Sequence, residues 1–420
     1  MRFSLIAPIA ALLLLPIAAS AAAPLAGRWD GVFHGGRGDQ DVVLLCRPGA
    51  NGALGGLVYF GGDLMGPIEN GSIAGDSLRF NVMNFGFLAK RSGDQMALQL
   101  VIAHGKTHDI ALHFTSADTS ALAQSPAAAA AARAKSGVDW KLVPDAVLAS
   151  HRVAVEVPPG TAPALRPGSL LLVGGGPSQD DISGEFRRLA GGDKARIVVI
   201  PTAGIDPGDD AGDLMNAGRW AQGLGVSRVT VLHATSRAQA DSEDFVRPLR
   251  DATGVWLPGG EAGRIIVSYL GTRTERELLA LLARGGVIGG TSAGALVWGS
   301  ESMIFRQPSD GSPFVMGDTA ALLIDDPHAV GFGALRNVLI SPHFAEFHMK
   351  GSLEKAMTAH PQLIGIGIDE ATALEVHGDI GTVFGRGHVT VYDGRSHGDA
   401  HGALVLPAGA RYDLARKVTI

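Results

Sequence analysis

From residue 168 onward, short unbroken apolar runs alternate with amphipathic stretches, and this alternation limits the fold more than any other feature of the chain. Apolar runs without polar alternation predict strands that are buried on both faces, as in parallel sheets. Helices are predicted between them at residues 181–189, 213–223, 262–269 and 273–283. The pattern predicts an α/β domain with a doubly wound, mostly parallel sheet, whose ligands would bind at the carboxyl ends of the strands. The apolar runs are SLLLVGGG, ARIVVIPTAG, SRVTVLHA, TGVWLPGG, GGVIGGTSAG, NVLISPHF and LIGIGIDE.

The chain before this region has a different pattern. Residues 24–115 contain short apolar runs separated by Gly, Asn and Asp, which predicts a small all-β accessory domain. Residues 116–137 are rich in Ala and Ser and predict a linker, and residues 138–420 are assigned to the α/β domain. Within that domain, residues 138–167 are interpreted as a docking strand and residues 372–420 as a terminal antiparallel addition. The predicted strands of the all-β domain cover residues 41–46, 57–60, 77–82, 97–103 and 110–114.

Residues 1–23 are typical of a cleavable export signal. Arg2 supplies the positive charge, residues 5–17 are apolar, and the small residues AASAAAP provide a cleavage site. An uncleaved anchor is the alternative. No other run reaches the roughly 20 apolar residues that a membrane-spanning helix needs. We therefore expect an exported protein, periplasmic or secreted, without stable membrane insertion after cleavage.

Composition excludes several other classes of function. The formal net charge is −6 and only 18% of the residues are charged, without the clustered Lys and Arg of a nucleic-acid surface. The single cysteine, Cys46, lies in an apolar run and predicts a buried strand residue. We expect no cofactor, because the glycines after SLLLV lack the G-x-G-x-x-G spacing of a dinucleotide site. We expect no metal site either, since YDGRSHGDAHG has the composition of a solvated loop.

The segment GGTSAGA contains the pattern G-x-S-x-G, with Ser292 at its centre. Glycines on both sides of a serine permit the sharp strand-to-helix turn that exposes a nucleophilic hydroxyl. The amide of Ala293 and the dipole of the following helix would stabilise an oxyanion. Ser292 is therefore the candidate nucleophile.

A nucleophilic serine needs a base and a group that orients the base. His343 follows the strand of NVLISPHF and is the candidate base, with His233 as its rival because it also ends a strand. Glu370 follows LIGIGID and is the candidate acid. The adjacent Asp369 could compete, although a role in supporting the turn is favoured.

With these residues identified, GTSAGA, VLISPHF and HPQLIGIGIDEATAL resemble the three signature stretches of the cyanophycinase-like and aspartyl-dipeptidase-like serine peptidases, family S51. The order Ser, His, Glu agrees as well. The resemblance implies a flavodoxin-like fold akin to class I glutamine amidotransferases, with Ser292 as nucleophile, His343 as base and Glu370 as its partner. It also implies that PGGE is the oxyanion loop, with Gly260 as second donor.

The resemblance is incomplete around the predicted substrate pocket. The acidic residue of the loop, Glu261, is followed by Ala262 where cyanophycinases have Gln, and the arginines that follow their histidine are missing from FAEFHMKGSLEK. Arg264 could bind a substrate carboxylate, but a surface or helix-pairing role is an equal interpretation. We therefore expect a Ser-His-Glu hydrolase that cleaves an amide bond in a small peptide other than cyanophycin.

Two other functions stay open from the sequence alone. One is a catalytically retired binding or scaffold protein, and the other is an esterase or amide transferase on the same fold. The sequence also leaves a homodimer open.

Overall fold

The computed structural model describes residues 24–35, 38–60, 63–82, 85–101, 107–117, 138–155, 165–176, 180–204, 225–226, 228–305, 319, 322–323, 325–395 and 402–420. Several sequence predictions fall outside these residues. They are the export signal at 1–23, most of the linker, the helix at 213–223, and His397, Asp399 and His401 of the glycine-rich loop.

Nine strands occupy the described residues between 27 and 116, which is consistent with the predicted all-β character of this region. They are β1 (Gly27–Gly35), β2 (Gly38–Pro48), β3 (Ala53–Phe60), β4 (Asp63–Pro67), β5 (Glu69–Ala74), β6 (Ser77–Val82), β7 (Phe85–Ser92), β8 (Gln95–Val101) and β9 (Thr107–Ser116), with a 3-10 turn at Ala50–Gly52.

These strands form an antiparallel sheet that closes on itself. Its order is β2-β1-β9-β8-β7-β6-β5-β3-β4, and an additional pairing of β2 with β3 joins eight of the strands into a ring. Closure removes the free edges that an open sheet would expose. Alternate side chains fill the interior, including Trp29, Leu44, Phe80 and Leu98. Cys46 is part of this core, as predicted, and burial raises the pKa of its thiol to about 12.

The α/β part of the chain is built on a second nine-stranded sheet of order β12-β11-β13-β14-β10-β19-β20-β23-β24. The first five strands in this order are parallel, and the strands from β19 onward are antiparallel to their neighbours. The strands are β10 (Leu165–Val173), β11 (Arg196–Val199), β12 (Arg228–Val231), β13 (Gly254–Leu257), β14 (Val287–Thr291), β19 (Thr372–Gly378), β20 (Ile380–Gly385), β23 (Arg411–Asp413) and β24 (Val418–Thr419).

Both faces of the inner parallel strands β11, β13, β14 and β10 are buried, because their successive residues belong to different hydrophobic clusters, whereas the edge strand β12 is partly exposed. In β10, Leu170 and Leu172 join one cluster, whereas Leu171 and Val173 join another. The unbroken apolar runs of the sequence therefore reflect burial on two sides. The helices are α1 (Asp145–Val155), α2 (Asp180–Leu189), α3 (Arg237–Ala240), α4 (Glu243–Asp251), α5 (Ala262–Tyr269), α6 (Arg273–Ala283), α7 (Ala293–Leu296) and α8 (Lys350–Ala359).

Two of the predicted strands leave the main sheet, which corrects the expectation of one doubly wound sheet. The runs NVLISP and LIGIGI form β17 (Val338–Pro342) and β18 (Ile364–Ile368), which pair in parallel in a separate four-stranded sheet. That sheet continues with β21 (His388–Tyr392) and β22 (Ala403–Pro407), and a further short pair is formed by β15 (Ile304–Phe305) and β16 (Leu322–Leu323). A buried parallel strand has the same composition in either sheet, so the sequence could not separate them.

Residues 138–155 contain a 3-10 turn and a helix instead of a strand, so the predicted docking strand is wrong for them. A 3-10 turn at Trp140–Leu142 leads into α1, and Val143 and Leu148 lie in the hydrophobic core. Valines at many positions favour a strand by propensity, but packing against the domain outweighs that preference. His151 of α1 bonds to Glu275 over 2.6 Å, which ties this helix to the domain.

Candidate active site

Ser292 stands in a strained turn between β14 and α7. Its φ is 55° and its ψ is −119°, a backbone conformation that residues other than glycine rarely adopt. The turn needs its flanking glycines. A β-carbon on Gly290 would lie 2.1 Å from the carbonyl oxygen of Gly294, and one on Gly294 would lie 2.0 Å from that of Leu257. Strain of this kind persists where the surrounding structure enforces it, commonly at functional sites.

The helix after Ser292 is shorter than the sequence predicted. α7 contains four residues, a single turn, so it carries little of the macrodipole of a long helix. An oxyanion at this place would depend on individual amides instead. Within the described residues the amide of Ala293 donates no hydrogen bond, because it is the first residue of the helix.

His343 links the serine to a carboxylate. Its Nε2 lies 2.8 Å from Oγ of Ser292, and its Nδ1 lies 2.7 Å from Oε1 of Glu370. With the proton on Nδ1, the imidazole donates to the carboxylate and accepts from the hydroxyl. The backbone of His343 has a φ of 51°, and its amide donates to the carbonyl of Gly174 over 2.7 Å. The three side chains therefore form one continuous chain of hydrogen bonds.

The rival residues have other contacts. His233 lies 3.0 Å from Oγ1 of Thr202, within a buried network that includes Tyr269. Asp369 accepts from the amides of Ala345 and His388 at 3.2 and 2.9 Å. Asp369 thus supports the turn, whereas the adjacent Glu370 bonds to the imidazole.

The loop Gly259–Glu261 lies against Ser292. A β-carbon on Gly259 would be 3.1 Å from Cβ and 3.6 Å from Oγ of Ser292, so only glycine fits there without displacement. Gly260 has a φ of 142°, and within the described residues its amide donates no hydrogen bond. This places a second unsatisfied amide in the loop next to the serine.

Glu261 and Arg264 have structural contacts in this loop. Glu261 caps α5 by accepting from the amide of Gly263 at 3.1 Å, and its own amide donates to the carbonyl of Ala203. Arg264 is only 4% exposed and its Nη1 lies 3.5 Å from the same carbonyl oxygen, which excludes a surface role. Their contact with a substrate stays a prediction.

Two glycines, Gly175 and Gly176, also lie against His343 and Glu370, although no role was predicted for them from the sequence. β-Carbons on Gly175 and Gly176 would lie 2.1 Å from the imidazole and 2.7 Å from Cβ of Glu370. The GGG run after β10 was the available signal, since it ends a strand at the ligand-binding edge of the sheet.

Glu346 is a third carboxylate at this place. Its Oε2 accepts from the amide of Glu370 over 3.0 Å. Burial raises the pKa of the Glu346 carboxyl, and the charges of Asp369 and Glu370 raise it further. Nothing in the sequence around Glu346 distinguished it from a solvated helix residue.

In the part of the chain that the structure describes, no set of side chains is arranged as ligands of a metal ion. No group of three or more His, Cys, Asp or Glu side chains is placed there to hold an ion.

Comparison with known proteins identifies a family for this part of the chain. The model of peptidase family S51 matches residues 170–383, just over half of the chain. Cyanophycinase from Synechococcus elongatus is 35% identical over 236 residues, which cover 54% of this chain and 69% of that protein. Cyanophycinase from Nostoc sp. is 32% identical over 233 residues, which cover 54% of this chain and 73% of that protein.

A solved structure, a peptidase from an acI-B1 Actinobacterium, is 26% identical with a TM-score of 0.46, and the alignment covers 59% of this chain and 96% of that one. The span matched by the family model contains Ser292, His343 and Glu370 together with the glycine loops around them. On the family match and the cyanophycinase relatives, this chain belongs to peptidase family S51 and is a serine-type peptidase.

Proposed function

We propose that this peptidase cleaves an amide bond in a small peptide, with Ser292, His343 and Glu370 as its catalytic triad. The observation that carries the proposal is the continuous contact from Glu370 through His343 to Ser292, with distances of 2.7 and 2.8 Å. These distances are within the range for proton transfer between a nucleophile and its base.

The first half of the reaction forms an acyl-enzyme. Oγ of Ser292 attacks the carbonyl carbon while Nε2 of His343 takes the hydroxyl proton. The π electrons of the carbonyl bond move to its oxygen, and the amides of Gly260 and Ala293 would stabilise the resulting oxyanion. When the carbon–nitrogen bond breaks, His343 returns the proton to the leaving amine, and an ester to Ser292 remains.

The second half regenerates the serine. A water molecule gives a proton to His343 as its oxygen attacks the ester, and the imidazolium then protonates Oγ as the acid product leaves. Glu370 accepts the Nδ1 hydrogen bond throughout, which orients the ring and stabilises the transient imidazolium charge.

The proposed substrate is a small peptide other than cyanophycin. The stretch FAEFHMKGSLEK after His343 has two lysines but no arginine, so the guanidinium groups that resemblance to cyanophycinases would place there are missing. A site that lacks the partners of a substrate's polar groups discriminates strongly against that substrate.

We also propose that the sheet β12-β11-β13-β14-β10 is a variant of the flavodoxin-like, doubly wound fold. Its parallel order and its helices on both faces support this, and the antiparallel strands from β19 onward extend it. The barrel of β1–β9 is proposed as an accessory domain.

Export is proposed from the character of residues 1–23 and is tested separately. The full-length gene is expressed in a bacterial host, and the amino terminus of the protein recovered from each compartment is sequenced. A terminus near Ala21 or Ala23 in the periplasm or medium supports export, and an intact Met1 in the cytoplasm contradicts it.

The catalytic proposal is tested by amine release from a library of dipeptides, isoaspartyl dipeptides and matched esters, with cyanophycin alongside. The wild type should hydrolyse at least one peptide amide, and Ser292→Ala and His343→Ala should each lower its kcat by more than about 1,000-fold. If the protein hydrolyses only esters, the proposal that it cleaves a peptide amide bond is contradicted. Efficient cleavage of cyanophycin would contradict the proposal that cyanophycin is not its substrate. His233→Ala is the matched control, because the structure bonds that histidine to Thr202, and it should keep the activity.

A further inference from the structure

The ring of Phe347 stacks on the imidazole of His343. The ring centroids are 4.4 Å apart and the planes are inclined by 14°. The proposed mechanism gives Phe347 no role, although this ring covers a face of the group that would move every proton.

The backbone between these two residues is held in place. The amide of Phe347 donates to the carbonyl of His343 over 2.9 Å, and the amide of Met349 donates to that of Phe344 over the same distance. Phe344 itself is buried, and its amide donates to the carbonyl of Ile368 in the neighbouring strand over 3.1 Å. The turn therefore presents the Phe347 ring to the imidazole in a fixed orientation.

Two hydrogen bonds alone do not fix an imidazole completely. The hydrogen bonds that Nδ1 donates to Glu370 and that Nε2 accepts from Ser292 lie along the edge of the ring, so the ring can still tilt about the line that joins the two partner atoms. A flat ring stacked on one face opposes that tilt, while it permits sliding within the ring plane. Gly175 packs so closely against the same imidazole that a β-carbon there would lie 2.1 Å from Cε1.

This restriction matches what the reaction requires. Nε2 must take a proton at Oγ of Ser292 and deliver it to a leaving nitrogen nearby, a movement within the plane of the ring. Tilting would point Nε2 away from the reacting atoms, and a displacement of a catalytic group by about 1 Å can lower the rate roughly 100-fold.

We propose that Phe347 is a positioning residue that keeps the His343 imidazole aligned between Glu370 and Ser292. The inference rests on the proposed triad, because it assigns Phe347 a function in aligning its base. The stacked, planar side chain is the required feature, rather than apolar volume alone.

The test compares Phe347→Leu with Phe347→Tyr. Leucine keeps apolar volume but has no planar face, and tyrosine keeps the face. On a peptide amide that the wild type hydrolyses, Phe347→Leu should lower kcat about 10- to 100-fold with KM changed by less than about twofold. Phe347→Tyr should keep kcat within about threefold of the wild-type value. Thermal unfolding of both variants identifies any general loss of structure.

A second measurement does not depend on turnover. The proton on Nδ1 of His343 should give a separate low-field NMR resonance, which Phe347→Leu should broaden or remove and Phe347→Tyr should retain. An unchanged resonance and unchanged kcat in the folded leucine variant would overturn the inference. A change confined to KM or to leaving-group preference would overturn it too, because Phe347 would then be a wall of the substrate pocket. Wild-type protein that shows the resonance but hydrolyses no substrate would instead contradict the proposed function.

Discussion

The imidazole of His343 occupies the space that a side chain at position 175 would fill. A β-carbon on Gly175 would lie 2.1, 2.5 and 2.6 Å from Cε1, Nε2 and Nδ1 of that ring. The glycine run after β10 is therefore part of the site, because its lack of a side chain allows the base to reach Ser292 from the neighbouring sheet.

Gly175→Ala should displace the imidazole and lower kcat by at least about 100-fold. Gly191→Ala is a matched control. Gly191 has a φ of 105°, close to the 104° of Gly175, but a β-carbon there would meet nothing within 4 Å. Both variants should lose about 1 kcal/mol of stability through backbone strain, and only Gly175→Ala should lose activity. Steady-state kinetics and thermal unfolding of the two proteins decide this, and equal activities would contradict the close packing.

Glu370 and the adjacent Asp369 should respond differently to the same change. Glu370→Gln leaves the site folded but replaces a carboxylate, which only accepts, by an amide whose NH2 group can donate to Nδ1. The amide therefore favours the wrong tautomer of His343 and lacks the charge that stabilises the imidazolium, so kcat should fall by roughly 100- to 10,000-fold. Asp369→Asn weakens the bonds to the amides of Ala345 and His388, so it should mainly lower stability, by about 1–2 kcal/mol. Measured kcat and unfolding free energies separate the two effects. A larger loss of kcat at constant stability in the Asp369 variant would identify Asp369 as the acid.

Stability should fall as the pH rises from about 4.5 to about 7 because of Glu375. Burial, followed by the charge of Glu185 on α2, raises the pKa of Glu375 from 4.5 to about 7. Within this window the unfolded chain releases a proton that the folded chain retains, so ionisation favours unfolding. Since Glu375 is only half-buried, solvent screening should reduce the loss to roughly 1 kcal/mol. Urea unfolding at pH 5 and pH 8 measures it, and Glu375→Gln should reduce the difference by that amount. An identical pH dependence in that variant would contradict the assignment.

One hydrogen-bonded pair should contribute measurably to the contact of α1 with the domain, beside the apolar packing of Leu148. The side chains of His151 and Glu275 lie 2.6 Å apart with 17% and 5% exposure. The hydrogen bond to Glu275 raises the pKa of His151, so the pair stabilises the fold most at acidic pH and loses strength as the pH rises through that pKa. His151→Ala and Glu275→Gln should each cost about 2 kcal/mol at pH 6, and the double variant should cost about 1 kcal/mol less than their sum. Additive losses would show that the two side chains act independently.

The sequence predicted best those elements whose pattern is local. The helices α5 and α6 run from Ala262 to Tyr269 and from Arg273 to Ala283, the ranges predicted, because an apolar stripe and polar flanks define them. The strands β17 and β18 were recognised but assigned to the wrong sheet, since an apolar run contains no information on its pairing partner. The helical segment at residues 140–155 was missed because its many valines favour a strand in isolation.

In the candidate site, too, residues in local motifs were predictable, whereas roles that depend on packing were not. Ser292, His343 and Glu370 each follow a strand in a recognisable motif, and the structure brings them into contact. The roles of Gly175 and Phe347 depend on packing between segments that are distant in sequence or on the direction of a turn, and neither is visible in a motif.

The most direct test of the proposed triad is covalent labelling of the protein with a fluorophosphonate probe, followed by mass spectrometry of the modified peptide. The wild type should take up one probe molecule per chain, attached to Ser292, while folded Ser292→Ala and His343→Ala proteins should take up almost none. A folded wild type that is not labelled, or that is labelled at another residue, would contradict the assignment of Ser292 as the activated nucleophile.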